Sequence, residues 1–375
     1  MVSTTSRINF AVIGHQDSWQ NIEYFVNALR TNEQEKLSLE KIKNIFPFIP
    51  PRVLFKVKVI SATGIEINGV YIDSFIDPDK LDFKYTKANI NKVIKAACCA
   101  EKQGALITTL GGFTSILQEG NFDSFPRSGT TFTTGNTLTA AYIVKGIERA
   151  ALQCNIKLAQ SKLLIVGATG DIGMACVHYF KHKVKQLLLC ARNVHRLETL
   201  TNSLLKENVK HHVSIDALLP EADVIICVAS TSGLNFNSCK KNALICDAGY
   251  PKNCNKQIND NIAVHLFHGG MGQVRNGYYF DPDYSNAIYQ YPAWGIAHGC
   301  VLEAMVLAFE NKIESYSTGK GNITIDKMEE IYANGLKHGI TLAPFHNANG
   351  LWPAQNYTIE NEKRASTITQ IGVYS

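Results

Sequence analysis

The run Leu163-Leu164-Ile165-Val166, followed by Gly167-Ala168-Thr169-Gly170-Asp171-Ile172-Gly173, constrains this chain more tightly than any other stretch. Four apolar residues in succession read as a buried strand, and the glycines fall where that strand must give way to a helix. Gly167 permits the tight turn, Gly170 lets the backbone approach a pyrophosphate, and Gly173 lets the next helix pack close to the strand. The helix start then offers N–H groups and a partial positive charge to phosphates. A second apolar strand, LLLC at 187–190, arrives on schedule, so residues 167–173 are expected to be a dinucleotide phosphate loop. No metal site is expected, because no cysteine pair has the C-x-x-C spacing of structural zinc.

Cofactor choice is decided at the end of that second strand. A site for NAD places a carboxylate there, roughly 20 residues after the loop, to hold the ribose 2′-hydroxyl. This chain has Ala191-Arg192-Asn193, with Arg196 one turn further on. A guanidinium suits a 2′-phosphate, so Arg192 and Asn193 are assigned to the cofactor and NADPH is the expected reductant. The alternative is a surface arginine beside an NAD site.

From Lys162 onward apolar strands alternate with amphipathic segments: LLIV, LLLC, DVIICVAS (223–230) and ALICDAGY (243–250). That alternation predicts a Rossmann-type, doubly wound parallel sheet in an α/β protein. Residues 1–155 mix strands and helices differently. Ile8–Ile13 reads as a strand, Ser18–Arg30 as a helix, and Val53–Ile60 with Ile65–Tyr71 as a hairpin across Ser61-Ala62-Thr63-Gly64. Lys87–Gln103 reads as a helix, Leu106–Leu110 as a buried strand ending in Gly111-Gly112, and Thr137–Asn155 as a long helix. The expected organisation is an α/β substrate domain over 1–155 and a cofactor domain over 156–295. A C-terminal helical segment, 296–350, packs back on the first domain, and a loose tail fills 351–375.

Length and composition agree with two globular domains: 375 residues, 45% hydrophobic and 18% charged. The N-terminal MVSTTSRINFAVIGH lacks the zones of a signal peptide, so the cytoplasm is the expected compartment. The net charge of +5 comes without interleaved aromatic and basic residues, which argues against nucleic acid. Lys84, Lys87, Lys92 and Lys95 lie opposite the stripe Ile90, Val93, Ile94 and Ala97, and read as a solvated face or a dock for an acidic partner.

Of the ten cysteines, most sit inside apolar runs and read as small buried residues. Cys300 differs. It follows Pro292, Gly295 and Gly299 and opens the strongly helical VLEAMVLAFEN. A thiol in the first turn of a helix meets unpaired N–H groups that favour the thiolate. The alternative is a small residue easing helix packing.

The strings LGGFTSI (110–116), FTTGNTLTA (132–140), VGATGDIG (166–173), LLLCARN (187–193) and DAGYPKN (247–253) together resemble the long-chain acyl-[acyl-carrier-protein] reductases. IGH at 13–15 and CVLEAMVLAFE at 300–310 fit the same pattern, in the same order, over about residues 8–340. The resemblance implies reduction of a fatty acyl thioester, carried on acyl-carrier protein or coenzyme A, to an aldehyde. It also implies that Cys300 forms an acyl-enzyme. The oxyanion then needs donors. Candidates for substrate binding are Gly111, Gly112, Phe113 and Thr114, and the polar groups Thr134, Asn136 and Thr137 ahead of a helix, whose other role is capping. The stretch between His268 and Cys300 is rich in tyrosine and follows the family only loosely. Competing readings are an NADP-dependent alcohol or keto-acid dehydrogenase with no covalent step, and a non-catalytic NADPH-binding protein. No Y-x-x-x-K follows the fourth strand, which weighs against the first.

Overall fold

A computed structural model describes residues 7–30, 35–81, 83–118, 125–126, 129–204, 208–230, 234–250, 252, 263–317 and 321–352. Almost all of the expected tail, from residue 353, lies outside them. The strands are β1 (Phe10–Gly14), β2 (Arg52–Ile60), β3 (Glu66–Asp73), β4 (Ile107–Leu110), β5 (Thr131–Thr133), β6 (Lys162–Val166), β7 (Gln186–Cys190) and β8 (Val209–His212). They continue as β9 (Val224–Cys227), β10 (Leu244–Asp247), β11 (His265–His268), β12 (Met271–Val274), β13 (Tyr278–Asp281), β14 (Ile296–His298) and β15 (Ile340–Leu342). The helices are α1 (Trp19–Ala28), α2 (Leu39–Ile45), α3 (Thr86–Lys102), α4 (Phe113–Gln118) and α5 (Asn136–Gln153). After them come α6 (Asp171–Phe180), α7 (Val194–Ser203), α8 (Ser285–Ile288), α9 (Gly299–Phe309) and α10 (Ile325–Lys337).

The second half builds the Rossmann-type sheet. Its strands are ordered β11-β10-β9-β6-β7-β8 and all pair in parallel. Leu163 of β6 stands between Leu187 of β7 and Val224 of β9, so the glycine loop leaves the central strand where the strand order reverses. That reversal opens the crevice in which such sheets bind ligands. Leu163, Leu164 and Ile165 are fully buried, as continuous apolar strands in a sheet covered on both faces must be.

The first half forms a mixed sheet, β13-β2-β3-β1-β4-β5. The hairpin β2–β3 is antiparallel across residues 61–65, whereas β1 pairs in parallel with both β3 and β4. Alternation along β1 separates two cores. Phe10 and Val12 face the core shared with α5 and α9, while Ala11 and Ile13 face a second core with Val93, Ala97 and Phe113. β13, although late in the chain, hydrogen-bonds to the edge of this sheet at β2. A third sheet, β14-β12-β15, sits close by in antiparallel pairing.

The shared core runs from Phe10, Phe55 and Val57 through Ile143 and Leu302 to Leu163 and Phe267, so α5 and α9 join the two large sheets. Each such buried Leu or Phe contributes roughly 1.5–3 kcal/mol of burial free energy. The basic face of α3 is only partly open to solvent. Lys84, Lys87 and Lys95 are exposed, but Lys92 turns to donate to the Ile49 carbonyl at 2.8 Å, over the ring of Phe46. Burial lowers its pKa, because an ammonium loses solvation there. Among the described residues no helix is long and apolar enough to cross a membrane.

Candidate active site

A cavity of about 720 Å³ runs along the carboxyl ends of β6, β7, β9 and β10 and under the mixed sheet. The glycine loop forms one wall. Gly167 has φ +91°, a conformation that L side chains rarely adopt, and a side chain there would meet Val228 and Ala229. At Gly173 a Cβ would stand 2.2 Å from the Gly167 carbonyl oxygen, so glycine is what lets α6 approach the loop. Gly170 is different. Its backbone is ordinary, φ −78° and ψ 166°, and a Cβ would meet only the Gly167 oxygen, at 3.3 Å. The space beside it belongs to the cavity, and a phosphate group fits there.

The N–H groups of Gly167 and Ala168 both donate to the Cys190 carbonyl and fix the loop on β7. Ile172 and Gly173 lie in the first turn of α6, where N–H groups have no helical acceptor. Thr169 and Asp171 line the cavity as well, but the Asp171 carboxylate is committed. It accepts from the Asn136 amide at 3.1 Å and the Gly321 N–H at 3.0 Å, tying α6 to the start of α5.

At the end of β7, Arg192 and Arg196 reach the cavity, and among the described residues neither guanidinium has an ion-pair partner. Asn193 is the N-cap of α7, its side chain accepting from the Arg196 N–H at 2.9 Å. The residues present therefore fit a dinucleotide at both ends: open backbone for the pyrophosphate, and a cation where an acid would serve NAD.

Cys300 lines the same cavity, on the second residue of α9. Its backbone is held independently of its thiol. The Thr109 hydroxyl donates to the Cys300 carbonyl at 2.6 Å, and Gly135, at φ +73°, presses so close that a Cβ would lie 2.3 Å from the Cys300 Cα. Burial is the largest influence on the thiol and raises its pKa. The N–H groups of Gly112, Val301 and Cys300 pull the other way, as hydrogen bonds to a thiolate must. Desolvation therefore outweighs the helix end that was expected to favour the thiolate.

Of the glycine-pair loop, Gly112 is the member whose N–H favours the Cys300 thiolate. The Gly111 N–H donates to the Ile13 carbonyl at 2.7 Å, and the Phe113 N–H to His15 Nε2 at 3.1 Å. The Thr114 hydroxyl is buried and donates to the Gly111 carbonyl at 2.8 Å. Thr134 donates to Ser317 Oγ at 2.6 Å and Thr137 to the Tyr316 carbonyl at 3.1 Å. These three hydroxyls, expected at the substrate, are turned into the protein. Asn136 reaches the cavity, but its amide is held by Asp171.

Several further residues converge here, of which His15, Tyr250 and Lys252 fall within the strings IGH and DAGYPKN but carried no assigned role. His15 must carry its proton on Nδ1, since Nε2 accepts from Phe113, and Nδ1 lies 3.3 Å from Asp17. Asp17 also accepts from the Tyr250 hydroxyl. Tyr250, Lys252, Tyr291 and His298 line the cavity beside Cys300. The His298 pKa is pushed down to about 3, first by burial and then by Lys252, so the ring is neutral near neutral pH. One turn after Cys300, Glu303 is fully buried and accepts from Thr133, from the Leu138 N–H at 2.9 Å and from Ser317 Oγ at 3.2 Å. It thus binds α9 to the first turn of α5, and burial raises its pKa. Among the described residues no group of three or more His, Cys, Asp or Glu is arranged to hold a metal ion.

The long-chain acyl-[acyl-carrier-protein] reductase of Synechococcus elongatus is 34% identical over 347 residues, which cover 88% of this chain and 97% of that protein. The chain belongs to that reductase family. Its nucleotide half also matches the profile of the shikimate / quinate 5-dehydrogenase family, over residues 148–268. This family member is accordingly an NAD(P)-dependent oxidoreductase. The aminotransferase PigE of a Serratia species is 25% identical over 352 residues, 90% of this chain but 40% of that protein. Among solved structures, the L-tryptophan dehydrogenase of Nostoc punctiforme is 13% identical, with a TM-score of 0.34, covering 87% of this chain and 80% of that one.

Proposed function

We propose that this chain reduces a long-chain fatty acyl thioester to the aldehyde with NADPH, through an acyl group carried on Cys300. The observation that carries the reading is that Cys300 shares one cavity with the Gly170 loop. Membership of the acyl-carrier-protein reductase family supports the substrate class. So does the wall formed by Val12, Phe55, Val57, Tyr278, Phe280 and Met305, which is apolar enough to solvate an alkyl chain.

The Cys300 thiolate attacks the thioester carbonyl, and the carrier sulfur leaves with the electron pair of the broken C–S bond and takes up a proton. The Gly112 and Val301 N–H groups, which favour the thiolate, are the donors assigned to the developing oxyanion. When bound, NADPH supplies the hydride that brings the Cys300 thioester to the aldehyde level. Loss of the C–S bond then returns the thiolate to Cys300 and releases the aldehyde. The loop of residues 167–173 holds the pyrophosphate through its backbone, and Arg192, assisted by Arg196, holds the 2′-phosphate.

The test is to supply the protein with NADPH and a hexadecanoyl thioester, and to follow NADPH absorbance alongside trapped aldehyde. Matching loss and gain are expected. NADPH consumption with no aldehyde, or none of either, overturns the reading.

Arg192 carries the cofactor preference. Arg192→Asp is expected to weaken NADPH binding roughly 10- to 100-fold, the value of one or two charge-assisted hydrogen bonds, and to narrow or reverse the preference over NADH. Equal affinity for the two cofactors in the unaltered protein, measured by fluorescence titration, would count against the assignment.

A further inference from the structure

Beside the cavity of Cys300 lies a second recess, of about 890 Å³. Tyr250, Lys252, Tyr291 and His298 line both, so the recess opens next to the thiol. Its lining is more polar than that of the first cavity, although Leu81, Phe113, Met271 and Pro292 also contribute to it. Near the end of β11 it is lined by Lys252, His268, Gln290, His298, His346 and Asn347.

His346 is the informative member. It is 2% exposed, and its Nδ1 lies 2.9 Å from the Pro344 carbonyl, which fixes the ring proton on Nδ1. Nε2 is then an acceptor, and it is buried with no hydrogen-bond partner. An unmet acceptor of this kind costs roughly 1–3 kcal/mol, so a donor from outside the chain is what completes it.

We infer that this recess receives the pantetheine arm of the incoming thioester, with His346 Nε2 accepting an amide N–H of the arm. The inference rests on the thioester-reductase reading. A carrier thioester has a hydrocarbon on one side of its carbonyl and an amide-rich, uncharged chain on the other. The two spaces, which share Tyr250, Lys252, Tyr291 and His298, match those halves. The imidazoles also fit an uncharged chain. Burial, with Lys252 adding to it, pushes the pKa of both His268 and His298 to about 3, so both rings are neutral near neutral pH, and Lys252 and Arg192 are the cations among the lining residues. The volume is in the range of small-molecule sites, roughly 300–1,000 Å³.

The test compares one acyl group on two thiols: an octanoyl pantetheine thioester and an octanoyl S-ethyl thioester, which keeps the carbonyl and sulfur and lacks the arm. In the unaltered protein the pantetheine thioester is expected to have a kcat/KM at least about tenfold higher, the value of one or two amide hydrogen bonds. His346→Asn keeps a donor for the Pro344 carbonyl and removes the Nε2 acceptor. Gln290→Trp narrows the recess at an exposed position. Each variant, once shown by fluorescence titration to bind NADPH, is expected to bring the ratio of the two substrates towards one. A ratio near one in the unaltered protein, or a ratio unmoved in both variants, removes the arm from this recess. If the unaltered protein reduces neither thioester, the thioester reading itself fails, and the arm site with it.

Discussion

Cys300→Ala is expected to abolish acyl transfer and aldehyde formation while leaving the protein folded and able to bind NADPH. The loss should be on the order of 10³-fold or more in kcat, as for other residues whose removal deletes the covalent step. Two features of the structure make the result interpretable. What holds residue 300 is its backbone, through the Thr109 hydroxyl and the close approach of Gly135, and alanine keeps both contacts. The glycine loop is fixed separately, by the Cys190 carbonyl and by Asp171. The change in stability should therefore stay within about 1 kcal/mol.

The direct readout is mass spectrometry of protein mixed with acyl thioester and no NADPH. One acyl group is expected on Cys300, and none in the alanine variant. Because burial sets the thiol above its ordinary pKa, most molecules hold the unreactive thiol at neutral pH. The rate of adduct formation should accordingly rise with pH through the neutral range, until the thiol titrates. An acyl group found on another cysteine, or aldehyde formed by the alanine variant, would return Cys300 to a packing role. Transfer of hydride to the bound thioester would then be the mechanism to examine.

What the sequence makes legible is mostly what is local. The loop at Gly167–Gly173 and the residues after β7 are decided by neighbours in sequence, and both stand at the reversal of strand order. β8 is a different case. Its VKHH is largely exposed at the sheet edge, where one partner strand suffices and no apolar run is needed. β13 pairs with β2 across more than 200 residues, a partnership that no period in either segment announces. His15 and Asp17, which share one loop, come together with Tyr250 and Tyr291 from distant parts of the chain for the same reason. Glu303 did have a signal, as an acid three residues after Cys300 in an otherwise apolar helix. Thr134 and Thr137 mark the limit of such signals. A hydroxyl just ahead of a helix looks the same in sequence whether it meets a substrate or, as here, Ser317 and Tyr316.

The second large effect concerns Gly170→Val, which is expected to remove NADPH binding, by on the order of 100-fold or more, in a protein that still folds. The backbone at residue 170 lies in the extended region that any residue adopts, and an added Cβ touches one protein atom at 3.3 Å. The fold loses little: valine is a poor N-cap for α6, at a cost of about 1 kcal/mol. The cofactor loses far more, since the branched side chain enters the space where the pyrophosphate approaches the first turn of α6, displacing several hydrogen bonds to charged oxygens. Gly173→Ala provides the contrast. Its Cβ would lie 2.2 Å from the Gly167 oxygen and 2.9 Å from its carbonyl carbon, so the main chain itself must move. That variant should lose thermal stability and cofactor binding together, whereas the valine at 170 should separate them. Thermal melts and fluorescence titrations on the two proteins read this difference directly. Undiminished NADPH binding by Gly170→Val would mean that the pyrophosphate lies elsewhere than on this loop.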